Sequence, residues 1–293
     1  METTPDIHCV CDYACELGEG PLWNPEEGRL YWTDITRGRI YWFDPRTGEH
    51  QLFYEGEVVG GFTFQEDGAL LLFMAKGAVA ILRDGTLSYV VHEIPEERDT
   101  RFNDVIADPR GGVFCGTMET EKHSGSLYRL DPDGSYTWLL GGIGVSNGLG
   151  FSPDRKILYY TDSPKQAIYR FDYNPATGSI TNQRVFIQIP ESLGVPDGMT
   201  VDADGYVWSA IWGGSCLIRF STQGEEVQRY HFPAKKVSSV TFGGPTYEDV
   251  YVTTAGGDNR AEDGAGAGGL FHLRPGVRGL PEFRSKIERS KTI

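Results

Sequence analysis

Short apolar runs, rich in aromatic and β-branched side chains, recur along the whole chain between clusters of Gly, Asp, Pro and Asn. The run LYWTD (30–34) is followed by RIYWF (39–43) and the turn DPRTG (44–48); ILYYTD (157–162) is followed by AIYRF (167–171) and NPATG (174–178). Weaker copies pair 69–74 with 78–82, 112–117 with 126–130, 206–210 with 216–220, and 249–253 with 269–273. Runs of this composition bounded by turn formers are what strands and hairpins require. The pairs Asp67-Gly68, Asp84-Gly85, Asp133-Gly134 and Asp204-Gly205 supply the turns that close antiparallel ribbons. No apolar period of 3.6 lies between the runs, which disfavours helical crossovers and a parallel sheet. A repeat of roughly 40–50 residues points to propellers and related arrays. The expectation is a single all-β domain over 1–293: a six-bladed β-propeller of four-stranded antiparallel blades. The blades are expected near 19–55, 60–94, 101–143, 146–189, 196–233 and 238–281, with the ring closed by an N-terminal strand near 8–15 and a mostly polar final stretch, 282–293, read as a short strand with a loose tail.

Each unit opens with a segment just before its first apolar strand. Aligning these segments makes Glu19, Gly61, Asn103, Asn147, Asp197 and Ser239 equivalent, at separations of 42, 42, 44, 50 and 42 residues. Equivalent positions of successive units sit around one ring. If that ring is the mouth of the central channel, two carboxylates and two carboxamides converge on one small volume. Buried charges must be paired or coordinate a metal, and a hard divalent cation suits an all-oxygen set. Taken singly, the Asn-Gly and Asp-Gly pairs read as turns. Taken in phase with the repeat, they read as a site.

The chain of 293 residues buries enough surface to fold without disulfides. Five cysteines and a polar, acidic start without a signal-peptide pattern lead to an expected cytoplasmic location with reduced thiols. A net charge of −14 disfavours nucleic acid and anionic lipid as partners, and no apolar run is long enough to span a membrane.

The motifs LGEGPLW (17–23), RFNDVIADPRGGVFCGTM (101–118), SNGLGFSPD (146–154), YYTD (159–162), PDGMTVDADGYVWSA (196–210) and FGG (242–244) run in order through nearly the whole chain. In these the sequence resembles the sugar-lactonase propellers, the family that includes gluconolactonase and regucalcin (senescence marker protein). The resemblance implies a six-bladed propeller and metal-dependent hydrolysis of a small sugar lactone, such as gluconolactone, to an aldonic acid. It also implies metal ligands at Glu19, Asn147 and Asp197, substrate contacts at Arg101 and Asn103, and a further acidic contact at Glu121, with Glu119 the poorer fit by spacing. Asp197 is then expected to act as ligand and general base at once. The expected cofactor is one divalent ion, Ca²⁺ first, with Zn²⁺, Fe²⁺, Mg²⁺ and Mn²⁺ also compatible with oxygen ligands. The expected partner is a small-molecule sugar lactone. The oligomeric state is open, a monomer being compatible with the sequence.

The chain departs from the family where FNDVI (102–106) replaces the common FNDGK and where the loop after Glu121 is short. The segment AIWGG (210–214) resembles bacterial aldonolactonases more than animal regucalcins. Two other functions remain open: a non-catalytic Ca²⁺-binding regulatory propeller, and a hydrolase of other lactones or of phosphotriesters.

Several further signals carry less. The match GVSNG (144–148) to a nucleophile elbow lacks the helix that elbow needs. GAGAGG (264–269) precedes a strand and reads as a flexible loop that could border the site as a lid. Cys9, Cys11 and Cys15 share parity, so in a strand they share one face and are expected to be buried thiols. YWTD (31–34) reads as a strand-end device. Trp212 is a candidate for the rim of the site.

Overall fold

The structure is a computed structural model that describes residues 5–288; of the final stretch 282–293, residues 289–293 lie outside the described residues. Strands dominate, as the alternation of apolar runs and turn formers predicts, and neighbouring strands are antiparallel meanders. The first sheet is Gly18–Asn24, Arg29–Asp34, Arg39–Phe43 and His50–Glu55; the second is Val59–Phe64, Leu70–Met74, Val79–Arg83 and Thr86–Val91. The third is Phe102–Ala107, Val113–Thr117, Gly125–Leu130 and Tyr136–Ile143; the fourth is Ser146–Phe151, Ile157–Asp162, Ala167–Tyr173 and Ile180–Gln188. Among the described residues no helix is long and apolar enough to cross a membrane.

The rest of the chain departs from expectation. The strands from Val195–Val201 through Gly269–Leu273, together with His8–Asp12, form one eight-stranded sheet. Six separate four-stranded blades are therefore not what this propeller has; it has four such blades and one double-width sheet. The cause is local. Lys236–Gly243 is eight residues long where Val59–Phe64 and Ser146–Phe151 are six. Its first residue, Lys236, reaches back to pair with Trp212 at the end of Val207–Trp212, which joins the two halves. A period in the sequence reports the units but not a pairing between their ends.

The core lies between sheet faces. Tyr31, Ile40 and Trp42 of the first sheet pack on Phe62, Phe64 and Leu72 of the second. The two halves of the wide sheet pack on each other through Trp208, Leu217 and Tyr230 against Val240, Val250 and Phe271. Each fully buried large apolar side chain contributes about 1.5–3 kcal/mol. Alternation along each strand supplies both faces.

The first strands of the units pack against one another around the axis. Each carries a register irregularity at the same place: between Glu19 and Leu22, Val59 and Gly61, Phe102 and Val105, Asn147 and Leu149, Pro196 and Met199, and Val237 and Ser239. A bulge of this kind re-aims a side chain and is common beside sites. Asn147-Gly148 and Asp197-Gly198 thus lie inside strands and are not turns. Their glycines permit close approach of the strands: a Cβ on Gly148 would lie 2.6 Å from the Asp197 carbonyl oxygen, and one on Gly198 would lie 2.1 Å from Ser239 Oγ.

The opposite end of the channel is crossed by the C-terminal segment. Ser285 pairs with Gln65, its hydroxyl lies 2.8 Å from that of Thr63, and Gly279 pairs with Asp202. This segment delivers Glu282 to a cavity of about 60 Å³ that Asp104 also lines. Glu282 is half-buried as a residue, but its carboxyl is enclosed, and burial pushes it up to about 7 against a hydrogen bond from Thr200. The folded state then holds a proton that the unfolded chain releases near pH 4.5. This contribution to stability is complete below pH 4.5 and is lost as pH rises to about 7, a fall of about 3 kcal/mol. Glu282→Gln keeps the neutral form at every pH. It is expected to raise the melting temperature over the wild type at pH 8 and not at pH 4.5. Equal shifts at both pH values would refute this.

Candidate functional site

A cavity of about 450 Å³ opens where the bulged positions of the ring converge. Glu19, Arg101, Asn103, Asn147 and Asp197 all line it, although they come from four different units of the repeat. Its walls are otherwise mostly apolar, from Leu17, Met118, Val145, Pro164, Val195 and Trp212.

The polar groups are held in one chain of hydrogen bonds. Arg101 Nη1 donates to Asn103 Oδ1 (2.6 Å) and to the Phe102 carbonyl (2.9 Å). Asn103 Nδ2 donates to the Ser146 carbonyl (2.8 Å) and to Asn147 Oδ1 (3.2 Å). Asn147 Nδ2 donates to Ser163 Oγ (3.0 Å), which donates to the Pro196 carbonyl (2.7 Å) beside Asp197. With its amide nitrogen committed to Ser163, Asn147 turns its oxygen towards Asn103. Glu19 Oε2 accepts from the Gly20 amide at 3.1 Å.

Two strand-end aspartates fix the approach to these residues. Asp34 of YWTD accepts from the Glu16 and Leu17 amides at 3.2 and 2.9 Å, just before Glu19. Asp162 of YYTD accepts from the Gly144 amide at 3.1 Å, just before Asn147. The same motif therefore anchors two of the converging segments.

The electrostatics of the cavity floor are unbalanced. Glu19 is pushed well above the usual carboxylate range, by burial first, then by Asp197 and Asp104. Asp197 is pushed well up by burial and by Asp104, against a hydrogen bond from Asn147. Asp104 is raised by burial to about 7, and Arg101 opposes that rise. Two carboxyl groups of the lining, together with Asp104 of the neighbouring small cavity, thus interact with one guanidinium. Asp197 Oδ1 is enclosed with no hydrogen-bond partner among the described residues. An orphaned carboxylate oxygen amid excess negative charge is what a cation would satisfy, so the residues present fit a divalent ion. No group of three or more His, Cys, Asp or Glu in a metal-holding arrangement occurs among the described residues, so any such site must use carboxamide oxygen as well.

Asp104 went unnoticed in the sequence because it follows Asn103 directly, and in a regular strand the two would point to opposite faces. Asn103 lines this cavity and Asp104 lines the small one, both buried where the strand is irregular between Phe102 and Val105. Glu121 is exposed and does not line the cavity, and neither does Glu119. Their loop is drawn outwards: Lys122 Nζ lies 2.6 Å from Asp99 Oδ2, and the Glu119 amide donates to the Gly144 carbonyl at 2.7 Å. Met118 lines the wall instead. The segment 264–268 lines no part of the cavity, so it is no lid in this conformation. Ser146 of GVSNG is followed by a strand and not a helix, as the elbow's dismissal requires. Cys11 and Cys15 are buried as expected, but Cys9 is exposed, because a bulge between Cys9 and Cys11 breaks their shared face.

Comparison with known proteins adds an independent line. A family model described as SMP-30/Gluconolactonase/LRE-like region matches residues 17–256. The pentonolactonase XacC of Haloferax volcanii is 46% identical over 285 residues, covering 95% of this chain and 97% of that one. Regucalcin of Xenopus laevis is 33% identical over 288 residues, covering 94% and 96%. Among solved structures, a calcium-binding protein, regucalcin, from Agrobacterium tumefaciens superposes with a TM-score of 0.87 at 26% identity, covering 96% of this chain and 97% of that chain.

Proposed function

The chain belongs to the SMP-30/gluconolactonase/LRE-like family, and from that premise we propose that it opens small sugar lactones, aldono-1,4- or 1,5-lactones, to aldonic acids within the 450 Å³ cavity. The observation that carries this reading is the convergence of Glu19, Asn147 and Asp197 with Arg101 and Asn103 in one enclosed volume. The similarity to a pentonolactonase over nearly the whole chain supports it.

A divalent cation held by Glu19, Asn147 and Asp197, with Ca²⁺ the first choice because a calcium-binding protein shares the fold, would supply Lewis acidity to the lactone carbonyl. Asp197 takes the proton of the attacking water, its enclosed Oδ1 having no hydrogen-bond partner among the described residues. Glu19 contributes charge to the floor, and Asn147 contributes an oxygen without charge. Arg101 and Asn103 hydrogen-bond the ring hydroxyls and orient the ester, the guanidinium with its fork of donors. Leu17, Val145 and Val195 keep bulk water from the reacting bond.

Arg101→Ala is expected to raise KM for an aldonolactone by about 10-fold or more while kcat falls less, as removal of ground-state binding does. Steady-state kinetics on one good substrate decide this. A fall confined to kcat would move Arg101 from binding into the chemical step.

The apolar walls favour a second reading, hydrolysis of lactones with apolar substituents or of phosphotriesters. The excess of negative charge also suits a binding module that holds calcium without catalysis. A pH-indicator screen of aldonolactones, acyl-homoserine lactones and organophosphates, with and without a chelator, separates the three. Chelator-sensitive turnover of aldonolactones alone is expected. Turnover of none of them would leave the binding module.

A further inference from the structure

The double-width sheet places its one unusual pairing at the wall of the cavity. Trp212, half-buried, lines the cavity beside Val195 and Pro196 and pairs with Lys236 across the seam between the sheet's halves. The Lys236 ammonium sits 5.4 Å from the centre of the Trp212 ring, inside cation–π range. That ammonium is in turn held 2.7 Å from Asp263 Oδ2. Asp263 is buried, closes the short helix Arg260–Asp263, and accepts the Lys235 amide on its carbonyl at 2.7 Å. The indole is thus backed by a cation that is itself anchored. Lys236 lies against the indole, and the indole lines the cavity.

We infer that Trp212 is the specificity-determining residue of the lactone pocket, a rigid platform for the C–H face of a small hydroxylated lactone ring, with Lys236 and Asp263 as its positioning residues. The inference deepens the lactonase reading and rests on it. Arg101 and Asn103 offer donors and acceptors for hydroxyls, whereas Val195, Pro196 and Trp212 line the cavity with mostly apolar surface. A substrate suited to this pocket is therefore two-sided, with hydroxyls on one face and ring C–H bonds on the other. Aldonolactones of five or six carbons have that character. Long acyl chains do not need a flat, anchored indole. Stacking on an aromatic ring is directional, so it fixes the ring's tilt towards Asp197 as well as adding affinity.

The test uses the full-length protein with its metal and compares Trp212→Ala, Trp212→Phe, Lys236→Met and Lys236→Arg. Two readouts are taken: kcat and KM on pentono- and hexonolactones, and intrinsic fluorescence during titration with the matching aldonate, which binds without reacting. Trp212→Ala is expected to raise KM about three- to tenfold with kcat within a factor of two or three. Trp212→Phe should keep most of the affinity but lose the fluorescence response to aldonate. Lys236→Met should raise KM less than Trp212→Ala does, with rescue by Lys236→Arg, which a merely structural lysine would not show through KM alone. A Trp212→Phe protein that keeps the fluorescence response, or a folded Trp212→Ala protein with unchanged KM, overturns the platform and leaves lactone hydrolysis standing. Should Trp212→Ala not fold, the Phe and Met variants decide the same question. A wild type that turns over no lactone removes the lactonase reading itself, and the platform with it.

Discussion

Asp197→Asn is expected to lower kcat for aldonolactone hydrolysis by at least about 10²–10³-fold, the usual cost of losing a preorganised catalytic group. Two functions end together in that substitution: the acceptor for the water's proton, and half of the carboxylate charge proposed to hold the cation. The same change should not weaken the fold. Asp197 is buried against Asp104 and Glu19, so its charged form is opposed by desolvation and by repulsion. An isosteric amide removes both penalties. With chelator present, the variant is therefore expected to melt at or above the wild-type temperature while being nearly inactive. Loss of activity together with loss of stability would mean that Asp197 is structural. Near-wild-type activity with metal still bound would end its role as base.

The largest expected stability effect lies elsewhere, at Asp202. Its carboxylate is fully buried and accepts from the Asp204 and Tyr206 amides (3.0 and 2.9 Å), Trp208 Nε1 (2.9 Å) and Arg219 Nε (2.9 Å), with Arg219 Nη2 at 2.7 Å. Arg219 also lies over Tyr206, 4.1 Å from the ring centre. Asp202→Ala would leave a largely enclosed guanidinium and an indole N–H without their acceptor. Removing one partner of a buried, hydrogen-bonded ion pair costs about 3–5 kcal/mol. The exposed pair Asp172–Arg184 is the control, since Asp172→Ala should cost less than about 1 kcal/mol. Denaturant melts of the two variants read this directly; similar midpoints would contradict it. Lactone hydrolysis by the folded fraction of Asp202→Ala should persist, because Asp202 does not line the cavity.

The all-β architecture was legible because strand composition, turn residues and a repeat are local signals, and each unit's first strand announces itself. So was the set of positions facing the cavity: Glu19, Asn103, Asn147 and Asp197 are in phase along the chain and meet in space. Several features were not legible, each for a physical reason. The fusion of two units depends on Lys236 reaching Trp212, a tertiary pairing between strand ends that leaves no periodic trace. Asp104 is buried beside Asn103 at a register irregularity and lines the small cavity, where parity would leave one of the two at the surface, and a similar irregularity exposes Cys9. Glu121 follows the GTM motif at the expected spacing, yet the loop's own contacts with Asp99 and Gly144 decide where it points. Spacing predicts position along the chain, and the turn chemistry of a short loop predicts direction only weakly.

The C-terminal crossing was also hidden, because its partners Thr63, Gln65 and Asp202 are remote in sequence and no repeat includes it. It closes the end of the channel opposite the bulged ring, next to the small cavity shared by Asp104 and Glu282.

Calorimetric titration of a divalent ion into chelator-stripped protein, wild type against the Glu19→Gln/Asp197→Asn double variant, tests the ring of oxygens without reference to turnover. The account predicts one ion per wild-type chain and no measurable binding to the double variant, whose fold is intact. Equal binding by both proteins, or none by either, would contradict it.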